Sequence, residues 1–133
     1  GVIPVNSPEE LYQTCDVISL HIPATPETKA SINYALVSKM PKGGVLVNTA
    51  RKEVIDEEGL ITLMQERNDL KYMTDVMPAA DTKFRTLFEG RYFATTKKMG
   101  AQTAEAKINA GIAAAKQIVD FIQNGNTRFQ VNK

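Results

Sequence analysis

The sequence predicts an α/β fold in which a parallel sheet is layered with helices. Three observations carry this. Short apolar runs recur over residues 16–22, 45–49, 70–76 and 92–95. Segments of helical character separate them. The second run, built on Val45-Leu46-Val47, is almost wholly apolar, as expected of a strand covered on both faces. Strands alternating with helices imply parallel βαβ units joined by right-handed crossovers.

Each element has its own signal. Ser7-Pro8-Glu9-Glu10 opens a helix running to about Cys15. Ser7 suits the cap, Pro8 the first helical position, and Glu10 the return half of a capping box. Residues 16–22 form the first strand, and Pro23 cannot extend its hydrogen bonding. Residues 24–29 are a Thr/Pro-rich loop. A helix of one or two turns over 33–40 stops at Pro41 and Gly43-Gly44. Residues 45–49 are the second strand. Asp56-Glu57-Glu58 places acid at the positive end of the next helix, whose buried stripe is Leu60, Leu63 and Met64. Residues 70–76 are the third strand. Residues 77–90 read as irregular, with Pro78, Asp81 and Gly90 as breakers. Residues 92–95 are the fourth strand. Gly100-Ala101-Gln102-Thr103 leads into the longest helix, which reaches about Asn124 and stops at Gly125. Its apolar stripe is Ala104, Ile108, Ile112, Ala115, Val119 and Ile122. Residues 127–131 are β-prone and need a partner strand.

Composition sets bounds on function. At 43% hydrophobic and 23% charged residues, the 133-residue chain suits one domain with a modest core. A formal net charge of +1 gives no broad field for nucleic acid or an anionic membrane. No apolar run reaches the length of a membrane span, and GVIPVNSPEE lacks the pattern of a signal peptide. The lone Cys15 fits a reducing compartment, so the expected location is cytoplasmic. One His and one Cys cannot supply a zinc ligand set, and no metal site is expected. With no starting Met, the chain is expected to be a piece of something longer.

Residues able to do chemistry gather where the apolar runs end. The first run ends in His21-Ile22-Pro23, with Thr25 and Thr28 beyond; the second ends in Asn48-Thr49-Ala50-Arg51. Ligands of open α/β sheets bind outside the carboxyl ends of the strands, so Arg51 is a candidate substrate clamp. The plain alternative is a surface arginine after a strand. Five segments, LHIP, NTAR, TDV, GAQT and NGNTRFQVN, occur in order along nearly the whole chain. Each is weak alone. Together they resemble the D-isomer-specific 2-hydroxyacid dehydrogenase family, and the ending is most similar to its members that act on 3-phosphoglycerate.

The resemblance implies hydride transfer between NAD and C2 of a 2-hydroxy acid, with 3-phosphoglycerate as the small-molecule substrate and serine biosynthesis as the setting. No GxGxxG phosphate-binding fingerprint occurs in the chain. The expectation is therefore the second half of a Rossmann-type NAD-binding domain over residues 1–125. A tail, 126–133, then joins a substrate domain that lies upstream together with the fingerprint. The expected partners are that remainder of its own chain and further copies in a homo-oligomer, with no nucleic acid and no membrane.

Roles carry over position by position. Arg51 matches the family's catalytic arginine, whose planar fork can hold a carboxylate and polarise the adjacent carbonyl. The family's acid/base is a His in a segment like TPHIG. Here Thr96-Lys97-Lys98-Met99 precedes Gly100, so Lys98 stands in its place. A lysine can take the hydroxyl proton only in its neutral form, which burial or neighbouring cations such as Arg51 and Lys97 favour. The alternative is a solvated cation and no turnover. The family's orienting glutamate falls at Ala80, and Asp81 reads as a turn residue more than a substitute. His21 and Pro23 match the LHxP segment beside the cofactor and the core. Thr28, Thr49, Ala50 and Asp75 match positions near the nicotinamide half. The amides of Gly100 and Ala101 would approach an anion or the carboxamide. Two rivals stand beside this reading: a non-catalytic cofactor-sensing relative, and a different 2-hydroxyacid dehydrogenase.

Overall fold

A computed structural model describes residues 1–98 and 102–131. The chain divides into two compact units, residues 1–98 and 99–133. The first opens with helix α1 (Pro8–Thr14). Ser7 Oγ accepts the Glu10 N–H at 3.2 Å, and the Glu10 carboxylate accepts the Asn6 N–H at 3.1 Å. Strand β1 (Val17–Leu20) follows, then α2 (Tyr34–Val37), a single turn capped by Asn33. Next come β2 (Val45–Asn48), a 3-10 turn (Lys52–Val54) and α3 (Glu57–Glu66), where Asp56 caps the Gly59 N–H. Strand β3 (Lys71–Thr74), α4 (Asp81–Leu87) and β4 (Tyr92–Ala94) complete the unit. The four strands are parallel and lie in chain order, β1-β2-β3-β4. Each is a residue or more shorter than its apolar run.

This order explains where the core sits. Successive right-handed crossovers that all step in one direction put every helix on the same face of the sheet. That face buries Ile18, Leu20, Leu46 and Tyr72 against Val37, Leu60, Leu63, Met64, Phe84 and Phe88. The opposite face stays open: Val17 is 61%, Met73 42% and Phe93 59% exposed. Within residues 1–98 the helices thus cover one face of the strands, not both as Val45-Leu46-Val47 suggested.

A second correction concerns residues 77–90, which contain α4 and are not irregular. Phe84 and Phe88, four apart, lie on one helix face. Phe84 packs at 5.5 Å from the Tyr72 ring and stacks at 5.0 Å on Tyr92. Two of the residues read as breakers bound this helix, and the third, Asp81, is its first residue. Pro78 precedes it, and Gly90 follows at φ +76, a left-handed backbone that favours glycine. The turn leading into it is held from a distance: the Glu57 carboxylate accepts the N–H groups of Ala79 (2.9 Å) and Ala80 (2.8 Å).

The amino end of the sheet is closed by two arginines. Arg67 donates to the carbonyls of Ser38, Met40 and Pro41 and pairs with Asp69 at 2.6 Å. Arg91 donates to the carbonyls of Met64, Arg67 and Leu70, over the last turn of α3.

The second unit is dominated by α5 (Ala104–Asn124), with Thr103 as its cap and Gly125 at φ +64 as its stop, as the sequence predicts. Its stripe of Ile108, Ile112, Val119 and Ile122 is exposed. Residues 127–131 form no strand. The Gln130 N–H bonds the Thr127 carbonyl at 3.0 Å, making a turn. A β-prone segment becomes a strand only beside a partner. Among the described residues, no helix is long and apolar enough to cross a membrane. None of their His, Cys, Asp and Glu side chains group in threes around a possible metal.

Candidate active site

Strands β1 and β2 are neighbours and deliver their following loops to the same edge of the sheet. Between these loops lies an open hollow of about 540 Å³, lined by His21, Ile22, Pro23, Ala24, Thr49, Ala50, Arg51 and Lys98. Six of the residues singled out from sequence therefore share one space: His21, Pro23, Thr49, Ala50, Arg51 and Lys98. Thr28 and Asp75 do not line it. Gly100 and Ala101 lie outside the described residues.

Each loop has an internal brace. Beyond β1, Thr28 Oγ1 donates to the Pro23 carbonyl at 2.6 Å and accepts the Thr25 N–H at 2.8 Å. The Thr28 hydroxyl thus holds the loop in shape. Beyond β2, Thr49 Oγ1 reaches the Leu20 carbonyl at 3.4 Å, tying the two strand ends together. The fully buried Asn48 side chain bonds the backbone of Ala50 and Arg51, each at 3.0 Å. The sequence names Asn48 among the residues that end the second run, with no role of its own. The available signal was a polar residue closing an apolar strand.

The electrostatics of the hollow are one-sided. Arg51 and Lys98 are both exposed, and neither forms an ion pair among the described residues. No carboxylate lines the space. His21 Nε2 lies 2.9 Å from Ser19 Oγ. Lys98 is not buried, and it shares its hollow with Arg51. Two cations around an open, partly apolar space can hold an anion, and a guanidinium there can take a carboxylate bidentately.

The ends of β3 and β4 are linked beside this space. Thr95 Oγ1 donates to Asp75 Oδ1 at 2.8 Å, and the Asp75 N–H bonds the Asn48 carbonyl at 2.9 Å. Asp81 is committed to the fold. Its carboxylate pairs with Arg85 at 2.8 Å and accepts the Tyr92 hydroxyl at 2.6 Å. The Arg85 bond holds the Asp81 carboxyl below the usual carboxylate range, while burial, followed by the Asp81 bond, pushes the Tyr92 hydroxyl far up.

Comparison with known proteins places this geometry. The model of the D-isomer specific 2-hydroxyacid dehydrogenase NAD binding domain matches residues 1–98. The D-3-phosphoglycerate dehydrogenase of Haemophilus influenzae is 34% identical over 133 residues, covering 96% of this chain and 32% of that protein. The enzyme of the same name from Rattus norvegicus is 29% identical, covering 93% of this chain and 23% of its own length. Among solved structures, the NAD+-bound 3-phosphoglycerate dehydrogenase of Entamoeba histolytica is 58% identical with a TM-score of 0.83, over 97% of this chain and 42% of that one. The D-lactate dehydrogenase of Escherichia coli is 27% identical with a TM-score of 0.67, over 89% and 37%. The chain spans about a third of the length of the first of these curated relatives. It belongs to the D-isomer specific 2-hydroxyacid dehydrogenase family, as part of the NAD binding domain.

Proposed function

We propose that the chain is part of an NAD-dependent dehydrogenase that interconverts 3-phosphoglycerate and 3-phosphohydroxypyruvate, a step of serine biosynthesis. The observation that carries this reading is the hollow at the strand ends, where Arg51 and Lys98 stand without a carboxylate among the lining residues. Its support comes from 58% identity to an NAD+-bound 3-phosphoglycerate dehydrogenase. In this reading residues 1–125 are the second half of the NAD-binding domain, and residues 126–133 join the substrate domain.

NAD is the cofactor of the family. The donor set fits it, because cationic and hydroxyl groups border an open space at the end of a parallel sheet. His21, Pro23, Thr49 and Ala50 would border the nicotinamide half, and Thr28 would keep the His21 loop in shape. The Asp75 carboxyl is suited to accept a hydrogen bond from the carboxamide nitrogen. When bound, the cofactor supplies the acceptor for the hydride that leaves C2. Arg51 holds the substrate carboxylate in its fork and stabilises negative charge beside the reacting carbon. Lys98 is placed to take the hydroxyl proton as the C–O bond becomes C=O, and to return it in the reverse direction.

The test is NADH formation by the full-length protein given NAD and D-3-phosphoglycerate. Arg51→Lys should lower kcat/KM by on the order of 10²–10³, since an ammonium cannot reproduce the fork. Turnover only with another D-2-hydroxy acid would change the substrate. NAD binding without turnover on any of them would favour the non-catalytic relative.

A further inference from the structure

The row of residues at the carboxyl ends of the strands changes character across the sheet. Leu20 of β1 pairs in register with Asn48 of β2, and Asn48 with Thr74 of β3. All three are buried on the core face, and Asn48 is 0% exposed. An amide at such a position is costly to desolvate unless both of its ends are bonded, and an aliphatic side chain would serve the core at less cost. The Asn48 side chain interacts with the Tyr72 hydroxyl of β3, and two further bonds run outside the sheet ladder. Oδ1 accepts the Ala50 N–H and Nδ2 donates to the Arg51 carbonyl, both at 3.0 Å. One side chain therefore closes a ring over the three residues leading to Arg51, whose backbone it fixes in an extended state at φ −141 and ψ 147. Thr74 braces the ring from β3, with Oγ1 3.1 Å from the Asn48 carbonyl. Nothing else holds Arg51 this way: its guanidinium has only a 3.4 Å contact to the Ala50 carbonyl and no ion pair among the described residues.

We propose that Asn48 is the positioning residue for Arg51. Its buried amide presets the backbone from which the guanidinium enters the hollow, so that little ordering remains when a carboxylate arrives. This rests on Arg51 being the carboxylate clamp. Aspartate could not substitute, because it lacks the donor to the Arg51 carbonyl and would bury a charge.

A double-mutant cycle on the full-length protein tests it, with kcat/KM for D-3-phosphoglycerate as the readout. Asn48→Ala should lower kcat/KM by on the order of 10²-fold, the scale of a misplaced catalytic group. In an Arg51→Ala background the same change should cost almost nothing further. An equal loss in both backgrounds would assign Asn48 to general stability and overturn the proposal, as would an Asn48→Ala protein with near wild-type kcat/KM. Arg51→Ala without effect would instead strike the clamp reading, and the proposal with it. Thermal unfolding of every variant, with Asn48→Ser as a second replacement, separates misfolding from mispositioning. If neither replacement folds, the amide is a stability element and the assignment falls.

Discussion

Replacing Asp69 by asparagine probes how the amino end of the sheet is held, at the opposite end of the strands from the hollow. Asp69 Oδ2 lies 2.6 Å from Arg67 Nη2 and accepts the Gly43 N–H at 2.8 Å, where the backbone turns at φ +82. The Arg67 guanidinium first, and the Gly43 amide second, hold the Asp69 carboxyl down from 3.8 to about 2. A value lowered in the native state means that the folded protein binds the ionised form more tightly. The stabilisation is complete above pH 3.8 and is lost as the pH falls toward about 2. At ~1.36 kcal/mol per pH unit, that interval sets a ceiling of ~2.5 kcal/mol. Both side chains of the pair are 24% exposed, so water screens them, and ~1 kcal/mol is the expected net effect. Asp69→Asn should therefore lower the unfolding free energy by ~1 kcal/mol at neutral pH, with the gap to wild type closing as acid is added. Urea unfolding followed by circular dichroism at a series of pH values measures this. Equal stability at neutral pH, or a gap that acid leaves unchanged, would refute the reasoning. Turnover at moderate temperature should be unaffected.

Two further outcomes are expected. Lys98→Ala should cost roughly 10²–10⁴ in oxidative rate, the range for a positioned acid/base. Lys98→Arg should not rescue it, since a guanidinium cannot take up the proton, and an unchanged rate in the alanine variant would take Lys98 out of the reaction. Phe84→Ala should destabilise the protein by ~3–5 kcal/mol, since Phe84 is 0% exposed among Tyr72, Phe88 and Tyr92. A loss below ~1 kcal/mol would show that α4 is anchored elsewhere.

Elements whose signals are local were legible in the sequence. Helix α1 carries its cap in Ser7 and Glu10, α3 in Asp56, and α5 in Thr103 and Gly125. Helix α4 was hidden because the turn before it, at Ala79 and Ala80, is held by Glu57, more than twenty residues earlier, while its local sequence offers Pro78 and Asp81. Asp81, read as a breaker, lies inside the helix, bonded to Arg85 one turn on. The open face of the sheet was hidden for another reason. Apolar alternation reports how a strand is patterned, whereas strand order decides which face the helices take. At the hollow, Arg51 was legible because its motif ends a strand. Thr28 and Asp75, expected near the nicotinamide half, do not line the hollow: Thr28 bonds Pro23 and Asp75 takes the Thr95 hydroxyl. Asn48 was spelled out in the same motif, yet its burial and its register beside Leu20 and Thr74 exist only in the folded sheet.

The arginines of the first unit give the physical argument for reading the hollow as a binding site. Arg67 is spent on three carbonyls and Asp69, Arg91 on three carbonyls, and Arg85 on Asp81. Each is held by oxygens that the fold itself supplies. Arg51 has the same five donors but, among the described residues, meets only one long contact, to its neighbour's carbonyl. The fold does not neglect this residue: it buries an amide to fix the Arg51 backbone and braces that amide from the next strand. A backbone held this firmly beneath a guanidinium left this bare is poor economy for stability. It becomes intelligible when the missing oxygens come from outside the chain, as a carboxylate delivered into a space where Lys98 adds a second cation and no acid competes.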